Sequence, residues 1–170
     1  MSADMADSPI EISGQIEGLD EIVRKFRAAP EAFERYMRRF LQQAVLLIER
    51  QVKLKTPINT GALRSSIGHE IRGLGAQMEG VVGTSKEYAP FVELDTRPHW
   101  PPAAPIQYWA QRKLKLAGAD LARATFYVRS KIALVGTRGK HMFQQAFDDT
   151  QARVKEMWSE TWSEAVQKEL

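Results

Sequence analysis

Between Glu31 and Val52 the apolar residues Phe33, Met37, Phe40, Leu41, Ala44, Leu47, Ile48 and Val52 recur every three or four positions. That spacing gathers them on one stripe and predicts a long, buried helix. Pro57 ends it, because the residue before a proline avoids the helical region. Upstream, Asp20 is placed to cap a first helix through Glu21, Ile22, Val23 and Phe26, stopped by Pro30. Ile10, Ile12 and Ile16 read as a strand or an extended arm interrupted by Gly14 and Gly18, and residues 1–9 as a disordered end.

Beyond the turn Asn59-Thr60-Gly61, two short runs, Arg64 to Arg72 and Met78 to Thr84, flank Gly73-Leu74-Gly75-Ala76 and predict a β-hairpin. Thr84-Ser85-Lys86-Glu87 has capping-box spacing, so a short helix is expected to start there and carry Tyr88, Phe91 and Val92 inward. Residues 95–105 hold Pro98, Pro101, Pro102 and Pro105 and predict a stiff surface loop. Three further helices are expected, Pro105 to Leu116, Asp120 to Leu134, and Lys140 to the C-terminus. In the last, Phe143, Ala146, Phe147, Thr150, Val154, Met157, Trp158, Thr161, Trp162 and Ala165 keep a helical register. A helix that long is expected to outreach a small core and to meet a neighbouring subunit in part. The sum is an α+β fold: a long helix, a small antiparallel sheet packed on it, and additional C-terminal helices. No internal repeat or low-complexity tract interrupts it.

At 170 residues the chain reads as one domain, 1–170. With no cysteine it has neither disulfides nor thiolate metal ligands. Met1 to Ser8 carries acids at Asp4 and Asp7 and no basic apolar block, so no export signal is expected. No stretch reaches the roughly 20 apolar residues of a membrane span, and no membrane contact is expected. Net charge is +3 but unevenly placed. Arg24 to Lys55 holds nine Lys/Arg against three Glu, and Arg112 to Lys140 eight against one Asp. The first 21 residues carry six acids and no base, and the last 30 six acids against three bases. Self-neutralisation, subunit contact and DNA binding all remain open to such a chain.

Candidate chemistry is sparse. His69, His99 and His141 lie far apart with no metal-ligand spacing, so no metal and no cofactor is expected. Gly136-Thr137-Arg138-Gly139-Lys140-His141 resembles a phosphate loop in part. It fails the pattern, with Leu134 where the first Gly belongs and His141 where Ser or Thr should follow the Lys. A connector between helices is the plain reading, with Arg138 and Lys140 available to DNA or an acidic partner. Ser65-Ser66 near His69 has no orienting acid at recognisable spacing and reads as strand-entry hydrogen bonding. Asp148-Asp149 point about 100° apart on a helix and read as a solvated face. Arg24, Lys25, Arg27, Arg35, Arg38 and Arg39 read as a solvated face with a phosphate-facing role as the alternative. Arg97, His99 and Trp100 in the proline loop are candidates for exposed recognition. Trp158 and Trp162, four apart on one helical face, pack a core or dock on a partner.

One ordered set of motifs points further. Thr56-Pro57-Ile58-Asn59-Thr60-Gly61-Ala62-Leu63-Arg64-Ser65-Ser66-Ile67 is followed by Val82-Gly83-Thr84, then Tyr88-Ala89-Pro90-Phe91-Val92-Glu93. Further on come Leu94-Asp95-Thr96-Arg97-Pro98, Pro101-Pro102, Trp109, Arg112-Lys113-Leu114 and Gly136 to His141. The chain thereby resembles, over roughly residues 10–165, the gene-product-ten-like family of lambdoid, HK97-like tailed phages, the neck or tail-completion proteins. The motif positions carrying the resemblance are Thr56, Pro57, Thr60, Gly61, Leu63, Arg64, Gly83, Thr84, Tyr88, Ala89, Val92 and Glu93. Asp95 departs from it, standing where the family usually has Gly before Thr-Arg-Pro. The resemblance implies a structural virion part without enzymatic activity, present as a homo-oligomeric ring at the head–tail junction and assembled in the host bacterial cytoplasm. Its implied partners are further copies of itself, the head-side connector or adaptor, the tail terminator or tail tube protein, and non-specific contact with DNA in the channel. A DNA-binding accessory protein using the basic helices is the alternative, and a small hydrolase near Ser65 and His69 ranks last.

Overall fold

A computed structural model describes residues 17–169, and the expected arm at Ile10–Ile16 and disordered end at 1–9 lie outside them. The described residues form two compact units, 17–87 with 142–169, and 88–141.

In the first unit, α1 (Leu19–Lys25) is preceded by Gly18 in the left-handed region, with no side-chain cap. Asp20 therefore lies inside the first turn rather than at its cap, where its carboxylate still suits the helix N-terminus. A 3-10 turn, Phe26–Ala28, leads to α2 (Pro30–Lys55). Pro30 begins that helix as well as closing the previous one, because a missing N–H costs nothing at the first helical position. Thr56 takes φ −69°, ψ 124°, the extended conformation its following proline imposes. The stripe is buried as expected at Phe33, Met37, Phe40, Leu41, Ala44 and Val52, with Tyr36 and Val45 added.

Helix α3 (Ala62–Ser66) occupies what reads in sequence as the start of the first strand, so β1 begins later, at Ile67, and runs to Arg72. The reason is local: Gly61 at φ 86° starts a turn, and the Ser65 and Ser66 hydroxyls donate to the Ala62 and Leu63 carbonyls. β2 (Glu79–Thr84) pairs antiparallel with β1 in the register Ile67 with Thr84 through Arg72 with Glu79. A turn through Gly73 and a 3-10 segment, Gly75–Gln77, joins them. The hairpin lies on α2, and its closest approach is at Gly80, where a Cβ would stand 2.4 Å from Val45 Cγ1.

Helix α7 (Met142–Glu169) closes this unit against α2. Arg35 near the start of α2 bonds Glu169 at 2.6 Å, while Lys55 at its end meets Asp149 at 2.6 Å, so the two helices run antiparallel. Met142, Ala146, Thr150, Met157, Thr161, Trp162 and Ala165 are buried along its whole length. The expectation that α7 outreaches the core is thus corrected, because α2 has nearly the same length, about 39 Å against about 42 Å.

Surface charge ties this seam from outside. Arg39 and Lys168 both donate to Glu164, which holds its carboxyl down at about 2, the Arg39 hydrogen bond being the larger cause. A depressed carboxylate stabilises the fold fully above its unfolded value of 4.5, and the contribution is lost as pH falls towards about 2. Acid titration followed by circular dichroism is therefore expected to show a stability loss between those limits, shallower in Glu164→Gln. Identical acid limbs in the two proteins would refute the linkage.

The second unit holds α4 (Ala89–Glu93), α5 (Ala103–Leu114) and α6 (Gly118–Val135). The short helix starts at Ala89 with Tyr88 at its N-cap and no side-chain cap, not at a Thr84 capping box. Tyr88 and Phe91 are exposed, correcting their expected inward placement, while Ala89 and Glu93 are buried. The Thr84 hydroxyl instead accepts from Lys86 N and bonds the Ser66 hydroxyl at 2.6 Å. The irregular loop ends at Pro102, earlier than expected, since Pro105 falls in the first turn of α5 where proline is tolerated. Helices α5 and α6 pack as a hairpin, turned by Lys115 at φ 54°. Half-buried Ile106, Leu121, Val128 and Ile132 lie along its inner side.

Candidate functional site

The proline loop and the glycine connector, read separately in sequence, come together in the second unit. Thr96 and Thr137 form an antiparallel bridge, with Thr96 N donating to Thr137 O at 2.9 Å and Thr137 N to Thr96 Oγ1 at 2.9 Å. Lys140 N donates to Val92 O at 2.7 Å and His141 N to Glu93 O at 3.0 Å, extending the seam down to α4. Two glycines permit this approach. A Cβ on Gly136 would stand 1.9 Å from Thr96 O, and one on Gly139 2.2 Å from Glu93 O.

Asp95 explains its own departure from glycine. It is not among the residues with positive φ, so the backbone there needs no glycine. Its carboxylate accepts from Gly139 N at 2.7 Å and lies 3.5 Å from His141 Nε2. The same geometry answers the phosphate-loop question. The backbone N–H groups of Thr137, Gly139, Lys140 and His141 are all donated to residues 92–96, so they form no cradle for an anion.

On this seam Arg97, His99, Trp100, Arg138 and Lys140 are all exposed. His99 Nδ1 pairs with Arg97 O at 2.9 Å. The Arg129 guanidinium stacks over Trp100 at 4.6 Å while its Nε donates to Pro101 O, which fixes the indole without covering it. Trp100 also meets Phe126 of α6 edge-on at 6.2 Å, and both rings stay more than half exposed. Rigid aromatic rings beside guanidinium groups are the composition that dominates protein contacts.

Trp162 lies elsewhere, 4% exposed in the core of the first unit. It stacks on Phe33 at 5.3 Å and meets Phe26 edge-on at 5.6 Å. Trp158, half-buried, contacts Phe40 at 5.1 Å and Trp162 at 5.2 Å. Of the two readings open in sequence, core packing holds for this face. The apolar face of α7 faces α2 and is not a docking surface of the folded chain.

Most motif residues act structurally. Thr56 is buried and donates through Oγ1 to Val52 O at 2.6 Å, within 3.3 Å of Met142 Sδ. Arg64 reaches Thr56 O at 3.3 Å, and Leu63 is buried. The Thr60 hydroxyl accepts from Ala62 N, supporting the turn at Gly61, and Pro57 is exposed behind it. Gly83 lies opposite Gly68 in the hairpin. Tyr88, Ala89, Val92 and Glu93 belong to α4 and its cap.

One pairing escaped the sequence altogether. His69 of β1 pairs with Glu49 of α2, which also binds Lys53, and these bonds, His69 first, hold the Glu49 carboxyl below the usual range. His69 thus has an acid partner, but both serine hydroxyls are engaged with carbonyls three residues back. Of the basic cluster, Lys25, Arg35, Arg38 and Arg39 are paired with Glu21, Glu169, Glu34 and Glu164. Among the described residues no group of three His, Asp or Glu stands close enough to hold a metal ion, and no helix is long and apolar enough to cross a membrane.

Residues 20–94 match the family model described as "Bacteriophage HK97-gp10, putative tail-component". Over that segment the chain is similar to HK97 gp10. The match spans α1 through α4, including the Thr-Pro turn, the hairpin and the Tyr-Ala-Pro helix. No curated protein and no solved structure matches it. The similarity to a bacteriophage tail-component family is confined to residues 20–94, and the α5–α6 hairpin lies outside the matched segment.

Proposed function

We propose that this HK97 gp10-like protein is a structural, non-catalytic virion component that joins the DNA-filled head to the tail of a long-tailed phage or prophage. It acts in several copies as a ring around the DNA channel, contacting the head-side connector and the tail terminator or tail tube, after assembly in the host cytoplasm. The observation that carries this reading is the rigid, exposed seam of Arg97, His99, Trp100, Arg138 and Lys140. Its exposed aromatic and basic side chains suit protein contact, and the backbone donors of Thr137, Gly139, Lys140 and His141 beside them are already used internally. Many copies of such a modest contact around a ring add up to a stable junction, because after the first the others are effectively intramolecular.

Electron microscopy of lysates from a phage with this gene disrupted tests the role. Filled heads beside free tails, rescued by the intact gene, are expected. Normally joined virions would overturn it. A DNA-binding accessory role draws support from residues 88–141, where nine Lys/Arg stand against three acids. Duplex binding with a steep salt dependence would favour that reading.

A further inference from the structure

The second unit has no apolar centre of its own. Its buried positions are Ala89, Glu93, Pro101, Ala110, Thr125 and Gly136, none a large apolar side chain. Among the described residues, eleven of the fifteen large apolar side chains that are exposed belong to it. On α6, Phe126, Tyr127, Leu134 and Val135 are 65–78% exposed. Exposed apolar side chains in this number on one unit mark a contact site. Arg123, Tyr127, Lys131 and Leu134 follow one another at helical spacing along one face of α6, and Phe126 with Trp100 flanks them.

Charge selects the occupant. Residues 88–141 carry nine bases and three acids, a net +6, whereas the rest of the chain carries fifteen bases and eighteen acids, a net −3. The first 21 residues hold six acids and no base, and α7 carries six acids against three bases. With its apolar face turned to α2, its outer face presents Asp148, Asp149, Glu156 and Glu160 around the short side chains Ala152, Ser159 and Ser163, with the bases Arg153, which pairs with Glu156 and Glu160, and Lys155 among them, and with Asp149 paired to Lys55. Short residues let another helix approach closely, and the carboxylates stand where basic side chains would flank an aromatic stripe.

We infer that the basic, aromatic face of the α5–α6 hairpin docks on the acidic outer face of α7 of a second copy of this chain. The inference deepens the ring reading above and rests on it only for closure of the assembly. Donor and acceptor are different patches, so the contact is head-to-tail and repeats from copy to copy, as a ring or open filament requires.

A charge swap on the full-length protein tests it, read by sedimentation across a concentration series with circular dichroism to confirm folding. The wild type is expected to associate. Arg123→Glu with Lys131→Glu, and separately Glu156→Lys with Glu160→Lys, are each expected to weaken association by about tenfold or more. An equimolar mixture of the two variants restores complementary pairs at every contact and is expected to recover it. Phe126→Ser with Tyr127→Ser is expected to weaken it without rescue. Wild-type association by both charge variants, no recovery in the mixture, or a wild type monomeric throughout would overturn the inference. Duplex DNA bound by a monomeric wild type through Arg123 and Lys131 would assign the face to nucleic acid instead. Failure here leaves the joining role standing if gene disruption still separates heads from tails, and normal virions would remove that role without touching this contact.

Discussion

Trp162→Ala is expected to destabilise the first unit by about 3–5 kcal/mol, the range for removing a large buried aromatic ring. Its indole is the hub at which the Phe26–Ala28 3-10 turn, α2 and α7 meet: Phe26, Phe33, Tyr36 and Trp158 all place ring centroids within 6.4 Å of it. Alanine would leave those rings facing a void that three separate helices cannot all close. The indole Nε1 is buried without a hydrogen-bond partner, which gives the experiment its internal control. Trp162→Phe keeps most of the volume and removes an unsatisfied donor, so it is expected to fall within about 1.5 kcal/mol of wild type. Urea denaturation followed by far-ultraviolet circular dichroism measures both. An alanine variant that unfolds like wild type yet fails to assemble would place Trp162 at a subunit contact and contradict the core assignment.

Helical stripes were the part of this fold most legible in sequence, and the reasons for the misses are physical. The α2 and α7 stripes face each other, so each apolar period was satisfied by the other. Tyr36 was missed because its hydroxyl marks it as a surface residue, yet Arg35 and Arg39 lay their guanidinium groups over the ring at 5.6 and 5.3 Å. The first strand was begun too early because Arg64-Ser65-Ser66 carries no strong period, and local serine hydrogen bonds decided for helix. Tyr88 and Phe91 were expected inside because apolar spacing on a five-residue helix cannot say on which side the rest of the chain lies.

Long-range pairings were not legible at all. Glu49 and His69 are 20 residues apart on different elements, and no spacing rule joins them. The candidate residues of the loop and connector were found individually, but not that they share one surface. One signal could have suggested it. Gly136 and Gly139 bracket a short polar segment, and glycines so placed often mark where another strand of backbone comes close. What sequence could not supply was the other strand, Thr96.

Gly136→Ala is expected to take that seam apart. At φ 72° and ψ −160° Gly136 occupies a region nearly closed to other residues, a cost of about 1–3 kcal/mol by itself. The added Cβ would also stand 1.9 Å from Thr96 O and 3.0 Å from Thr96 C, backbone atoms that cannot step aside as a side chain would. Relief requires moving residues 96–97 away from 136–137, which breaks the Thr96–Thr137 bridge and frees the loop that positions Arg97, His99 and Trp100. The expected readout is rapid hydrogen exchange at the Thr96 and Thr137 amides and new proteolytic cutting within 95–102, while the amides of α2 keep wild-type protection. Gly83→Ala is the matched control, since its Cβ would meet nothing within 4 Å, and it is expected to exchange as wild type. Protected Thr96 and Thr137 amides in Gly136→Ala would mean that the seam is held by something other than this approach. A seam that opens together with loss of head–tail joining, in a chain whose first unit remains folded, would tie the junction to this surface and separate it from the stability of the fold.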